Sequence, residues 1–322
     1  MGNRKNCLGK VAIVGTGFVG STAAYTIMLD GIANHIVLID KDKDKAEGHA
    51  LDLMHGMQFT KSTHIEAGDS LELVHDAQIV VLTAGFAQKP GESRAALLEK
   101  NVNIFRDLIP QIVKYNKDCI LLVVTNPVDV LTYVAYKLSG FDSCKVFGTG
   151  TVLDTARLRY LLGEKLEISP KDITAYILGE HGDSQFVWWS HANIAGVPIS
   201  KIPICAQNFC EQLHQKVKNA VYEVIEKKGA TYYAIALVIA KIVRAILLDQ
   251  SRVFTVSTVL KNYYENKNNE IKNICLSIPT VIRKGGICQQ FEIYLNKEEE
   301  AMFDLCLKRI YKDIKEAEEI GF

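Results

Sequence analysis

The chain carries no net charge: 37 lysines and arginines balance 37 aspartates and glutamates over 322 residues. That balance gives no global pull towards nucleic acid or an anionic membrane, and neither partner is expected. Long apolar runs are missing as well. The most apolar helix-like stretch, Ala234 to Leu248, is interrupted by Lys241 and Arg244 and is too short to span a bilayer. The opening residues, Met1-Gly2-Asn3-Arg4-Lys5-Asn6, run into a short strand pattern without a signal-peptide apolar core. Asn6 stands where a myristoylation pattern needs Ser or Thr. Paired cysteine spacings are also absent. Eight cysteines are scattered and none forms C-x-x-C, so no zinc spacing is present and no metal is expected. They read as small buried hydrophobes, and free thiols suit a cytoplasmic setting. No internal repeat or low-complexity tract interrupts the chain.

What remains is an ordinary globular composition, 48% apolar and 23% charged, on a chain long enough for two subdomains. Short apolar runs at Val11–Val14, His35–Ile39, Ile79–Leu82, Ile120–Val124 and Val146–Phe147 read as buried strands. Helical patterns lie between them at Phe18–Leu29, Lys43–Met54 and Arg94–Tyr115, and another begins near Pro127. This alternation predicts an α/β fold with a doubly wound parallel sheet over residues 1–150. A mixed α+β unit is expected over 151–322. It opens with a helix at Thr151–Leu162 and a strand-like Ile173–Leu178. Helices follow at Cys210–Lys228 and Thr231–Leu248, strands at Val253–Leu260 and Ile274–Ile282, and a last helix at Lys297–Ile320. Asn262 to Lys272 is polar and reads as a hairpin tip.

Gly15-Thr16-Gly17-Phe18-Val19-Gly20 fits G-x-G-x-x-G between the first strand and the first helix. The first glycine allows the tight turn, the second lets backbone approach a pyrophosphate, and the third permits close helix packing. Asp40 ends the second strand, 20 residues past Gly20. A carboxylate there accepts from ribose hydroxyls and repels a 2′-phosphate, so NAD is favoured over NADP. A plain strand-terminal turn residue is the other reading of Asp40.

Two further stretches carry reaction chemistry. Gly179-Glu180-His181-Gly182-Asp183 sets an imidazole between glycines, past an apolar strand. The other seven histidines lack that setting. Leu153-Asp154-Thr155-Ala156-Arg157 places a carboxylate and a guanidinium three apart on one helix face. An acid/base imidazole, a carboxylate to orient it and a fork for an anionic substrate are the parts of a polar redox site. Asp154 with Arg157 also reads as an ordinary intrahelical ion pair. Arg94 also reads as a solvated helix-start residue, and Gln88 to Ser93 as a surface turn.

At these stretches the chain resembles the NAD-dependent L-lactate and malate dehydrogenase family, and within it the bacterial L-lactate type. The resemblance covers nearly the whole chain. It also takes in Thr83-Ala84-Gly85, Gln88 through Arg94, Thr125-Asn126-Pro127-Val128-Asp129 and Lys228-Gly229-Ala230-Thr231. It implies hydride transfer between a nicotinamide and a small 2-hydroxy acid. His181 is then the proton donor and acceptor, with Asp154 on its other nitrogen. Arg157 is the bidentate carboxylate clamp, and Arg94, at the end of a closing loop, stabilises charge on the reacting oxygen. Asn126, Thr231 and Gln88 line the substrate. Cofactor contacts are implied at Gly15, Gly17, Phe18, Val19, Gly20, Asp40 and Lys45, and at Thr83, Ala84, Gly85, Thr125, Asn126 and Thr149.

Malate-selective members carry arginine where this chain has Gln88. A neutral glutamine leaves a second substrate carboxylate without its counter-charge, which is costly. Pyruvate and lactate are therefore the expected pair. The alternatives are a malate or branched-chain 2-hydroxy acid dehydrogenase, and a catalytically silent dinucleotide-binding protein. Many bacterial relatives respond to fructose 1,6-bisphosphate through an arginine and a histidine. Arg159 matches the arginine, but Thr174 stands at the histidine position, so activation is not expected. A homotetramer is implied by the resemblance.

Overall fold

The computed structural model describes residues 9–87, 93–203, 207–260 and 273–322. The first half alternates strand and helix. β1 (Lys10–Val14), α1 (Phe18–Asp30), β2 (His35–Ile39), α2 (Lys43–His55), β3 (His64–Gly68) and β4 (Ile79–Leu82) come first. Then follow α3 (Arg94–Tyr115), β5 (Ile120–Val123), α4 (Val128–Ser139) and β6 (Val146–Gly148). The strands are parallel and lie in the order β6-β5-β4-β1-β2-β3. The chain reverses its direction of winding between β1 and β4. Ligands bind at such a switch point, outside the carboxyl ends of the strands.

These runs are strands because both faces are covered. Val11, Ile13, Ile36 and Leu38 pack beneath α1, while Ala12, Val37, Val80 and Leu121 face α3 and α4. Gly31 ends α1 in the left-handed conformation at φ 57°, and its N–H bonds back to Ile27 and Met28. β3 was not apparent in the sequence. Only Ile65 and Ala67 are apolar in it, and it is an edge strand in register with β2.

The second half comprises α5 (Val152–Leu166), β7 (Ile173–Thr174), β8 (Ile177–Leu178), β9 (Phe186–Val187), β10 (Asn193–Ile194) and β11 (Val197–Pro198). It continues with α6 (Gln207–Lys228), α7 (Tyr233–Leu247), β12 (Arg252–Val259), β13 (Cys275–Arg283), β14 (Gly286–Gln290) and α8 (Lys297–Ile320). The expected single strand over Ile173–Leu178 is split, because Ala175-Tyr176 carries the chain from the β10-β7 pairing to the β8-β9 pairing.

The two halves share one sheet. β12 joins antiparallel to β6, pairing Ser257 with Gly148, and β13 and β14 extend the edge. Among the described residues the main sheet has nine strands. The apolar α7 is a core helix: Ala236, Ile239, Ile242, Val243 and Ile246 are buried in the cluster that also holds α1. Each of these isoleucine and valine side chains contributes roughly 1.5–3 kcal/mol. No helix among the described residues is long and apolar enough to cross a membrane. Cys119, Cys275 and Cys306 are buried as expected, but Cys288 is exposed on an outer strand. Burial pushes the Cys119 thiol up to about 12 and the Cys306 thiol up to about 11. Cys7, Cys205 and the proposed hairpin tip fall outside the described residues.

Candidate active site

The nucleotide end lies at the carboxyl ends of β1, β2, β4 and β5. Gly15 turns at φ 100°, and its N–H bonds to the Ile39 carbonyl at 2.7 Å. A Cβ on Gly20 would stand 1.9 Å from the Gly15 carbonyl oxygen, whereas a Cβ on Gly17 would meet open space. The third glycine therefore serves packing, and the second leaves room for a ligand. The N-terminus of α1 has no side-chain cap among the described residues. Its first N–H groups and dipole thus face that opening, which fits a pyrophosphate.

Asp40 accepts from the Thr16 N–H at 2.7 Å, the Thr16 hydroxyl at 2.9 Å and the Asp42 N–H at 3.2 Å. Burial raises its carboxyl, but these hydrogen bonds outweigh it and hold Asp40 below its ordinary value. It is a fixed anion. Lys45 is exposed in the first turn of α2. Thr83 Oγ1 bonds to the Gly15 carbonyl at 2.7 Å, and Thr125 Oγ1 to the Ala84 carbonyl at 2.8 Å. These two hydroxyls tie three strand ends together. Val19, in the first turn of α1, is half-buried, and Phe18 before it is 67% exposed and stacks on Tyr232 at 5.1 Å. That stack brings the Thr231 segment to the dinucleotide loop. Thr149 is buried, its N–H on the Val123 carbonyl.

The reaction end is built from α4, α5 and the loop after β8. His181 Nδ1 lies 2.6 Å from Asp154 Oδ2, and Arg157 Nη1 lies 3.0 Å from Asp154 Oδ1. The ion pair three residues apart on α5 therefore exists, and it is also part of the histidine relay. Asp154 is 3% exposed. Burial raises its carboxyl, but His181 and Arg157 bring it below its ordinary value. For His181, burial lowers the imidazole, and Asp154 with help from Asp129 outweighs this, so the ring is held above its ordinary value. Arg157 makes no other hydrogen bond among the described residues, leaving donors for a ligand carboxylate.

Four further residues, given no role from the sequence, support the site. Asp129, at the start of α4, accepts the His181 backbone N–H at 2.7 Å. Burial pushes its carboxyl up to about 6. Asn101, fully buried on α3, receives the Phe86 N–H at 2.8 Å and donates to the Asn126 carbonyl at 2.7 Å. It joins the start of the loop to the exposed Asn126. Glu180 and Asp313 hold Arg94. The guanidinium pairs with Glu180, which is 1% exposed, and stands 3.8 Å from Asp313 on α8. Glu180 also accepts from the Ser184 hydroxyl. Glu180 and Asp129 lie inside the motifs quoted above but had no role assigned, and for Asn101 and Asp313 the only sequence signal was polarity inside an amphipathic helix.

The Arg94 position differs from what the resemblance implied. It is engaged by Glu180, the residue before His181, rather than left free for a substrate oxygen. Two carboxylates in a mostly buried place outcompete solvent for it. Gln88 lies outside the described residues. Arg159 donates from Nε to the Ala175 carbonyl at 2.9 Å and lies over the Tyr176 ring, while Thr174 is exposed on β7.

Residues 9–148 match the model for the lactate/malate dehydrogenase NAD binding domain. Residues 151–320 match that for the lactate/malate dehydrogenase alpha/beta C-terminal domain. The chain belongs to the lactate/malate dehydrogenase family. Its cofactor is NAD. A Clostridium botulinum L-lactate dehydrogenase is 49% identical over 295 residues, covering 90% of this chain and 91% of its own. An Acetivibrio thermocellus L-lactate dehydrogenase is 47% identical over 309 residues, covering 92% and 93%. A solved lactate dehydrogenase from a Medee basin deep-sea metagenome library superposes with TM-score 0.90 at 39% identity, over 96% of this chain and 99% of that one. The minor L-lactate dehydrogenase of Enterococcus mundtii, in a ligand-bound form, gives TM-score 0.90 at 38% identity, over 95% and 98%.

Proposed function

We propose that this chain is an NAD-dependent L-lactate dehydrogenase that reduces pyruvate to (S)-lactate and runs the reverse reaction. The observation that carries the assignment of roles is the relay from Arg157 through Asp154 to His181. It offers a proton, a fixed counter-charge and unused guanidinium donors in one partly buried place. When bound, the reduced nicotinamide supplies the hydride. Arg157 holds the substrate carboxylate with the donors that Asp154 leaves. His181, whose protonated form Asp154 favours, passes its Nε2 proton to the oxygen that becomes the alcohol. In lactate oxidation the neutral ring takes that proton back. Arg94 steadies the charge on the oxygen once substrate replaces Glu180 as its partner. Asn126 and Thr231 complete the wall, and a neutral glutamine at position 88 of the sequence, in place of arginine, supplies no counter-charge for a second carboxylate.

The nucleotide unit is taken as residues 1–150 and the substrate unit as 151–322. A cytoplasmic homotetramer belongs to the same reading. Light scattering at micromolar concentration tests that assembly, and a monomer would count against it. The reaction is tested by NADH oxidation with pyruvate, oxaloacetate and branched-chain 2-oxo acids. Pyruvate should lead the others by about tenfold or more in kcat/KM, because one unpaired carboxylate or a crowded branch costs at least about 1.4 kcal/mol. His181→Asn should keep NADH binding and lose about 10²-fold or more in turnover. Equal turnover with oxaloacetate, or an active His181→Asn variant, would overturn the reading.

A further inference from the structure

A cluster far from the reaction centre has the makings of a second site. His35 begins β2 and His64 begins β3, and the two are directly paired in the parallel register. Directly paired residues share a sheet face, and Glu66, two residues past His64, returns to that face. The side chains follow this geometry. His35 Nε2 lies 3.2 Å from Glu66 Oε2. The two imidazoles meet edge to face with centroids 4.5 Å apart. One ligand atom from each of the three residues lies within 4.8 Å of the other two.

We propose that His35, His64 and Glu66 form a binding site for a divalent transition-metal ion of the zinc class. Two imidazoles and a carboxylate suit zinc, nickel or copper, whereas calcium and magnesium prefer all-oxygen shells. Donors around a tetrahedral zinc, with bonds of about 2.05 Å, stand about 3.3 Å apart. The His35–Glu66 pair already has that spacing. His64 is exposed on the edge strand, so a rotamer change closes the third distance without moving the core. Three protein ligands leave the remaining position to water. His35 and His64 stand 29 residues apart in the chain, so no linear metal spacing announces the site. Lys10, paired with His35 on β1, is the cation that opposes an incoming ion.

The site lies at the amino ends of its strands, while Asp40, Thr83 and Asn126 follow the carboxyl ends. Zinc there pins the edge strand to its neighbour and leaves hydride transfer alone. The test uses untagged protein stripped with a chelator and titrated calorimetrically with zinc chloride, and with cobalt(II) followed by its visible absorption. The parent should bind one ion per chain, and saturating zinc should raise its Tm by about 2 °C or more, since only the folded pair binds. His64→Ala and Glu66→Gln should each weaken the ion by about tenfold or more and lose the Tm shift, with NADH turnover in the metal-free state unchanged. Lys10→Gln should bind zinc at least as tightly as the parent. No uptake by the parent at about 100 μM zinc, or equal affinity in the parent and both ligand variants, would overturn the proposal. If His64→Ala does not fold, Glu66→Gln decides the question.

Discussion

His181 and Asp154, 27 residues apart in the chain, meet at 2.6 Å through Nδ1 and Oδ2. The same carboxylate takes Arg157 on its other oxygen. One buried anion therefore sets both the proton affinity of the imidazole and the direction of the guanidinium. A mutation of Asp154 acts on two roles at once.

Asp154→Asn removes the group that raises the His181 imidazole, so its pKa falls. Pyruvate reduction needs the protonated ring and should lose kcat/KM at lower pH than in the parent. Lactate oxidation needs the neutral ring, and its acid limb should move in the same direction. At neutral pH, pyruvate reduction should drop about tenfold or more. The raised imidazole also stabilises the fold fully below its unfolded value near about 6.5, and that stabilisation fades as pH rises through the higher folded value. Parallel pH–rate profiles for parent and variant check this, and superimposable profiles would refute it.

Arg94→Gln is expected to do two separable things. It leaves Glu180, 1% exposed, without its cation, so Tm should fall by about 2 °C or more. It also removes charge stabilisation from the reacting oxygen, costing about 10²-fold or more in turnover. A variant that loses turnover with an unchanged Tm would mean that the Glu180 pairing contributes nothing to the free enzyme.

Asp40, held ionised by Thr16 and Asp42, should make NADH preferred over NADPH by about tenfold or more in kcat/KM. Asp40→Ser should narrow that gap mainly through better use of NADPH. Comparable efficiency of the parent with both cofactors would remove Asp40 from the specificity argument.

Millimolar fructose 1,6-bisphosphate should change the half-saturation for pyruvate by less than about twofold. Two phosphates need converging cations. Arg159 already serves Ala175 and Tyr176, and Thr174 offers only a hydroxyl. A drop of about tenfold or more would contradict this, and Lys171→Ala would then show whether this lysine, three residues before Thr174, supplies the charge.

Much of the nucleotide half was legible because its strands are covered on both faces and so are written as unbroken apolar runs. Ile79–Leu82 and the long helix Arg94–Tyr115 were read with their observed bounds. β3 was not, since an edge strand half open to water needs few apolar residues, and His64-Ile65-Glu66 looks like a loop. The extension of the sheet by β12 was also hidden. The pairing of Ser257 with Gly148 joins segments more than a hundred residues apart, and no local pattern encodes it. In the site, His181 and Asp154 were recognisable from their surroundings. Glu180 and Asp129 were not, because a buried carboxylate and a solvated one are spelled alike.

The shared sheet bears on what happens if the chain is divided. A fragment ending at Gly148 would present β6 as a bare edge, and the remainder would present the eight-residue β12 in the same state. Unpaired edges of that kind recruit other chains. Two pieces cut at this point should aggregate when made apart and recover a soluble, NADH-oxidising particle only when produced together. The boundary between the two sequence-matched domains is thus a seam inside one cooperative unit rather than a hinge between two.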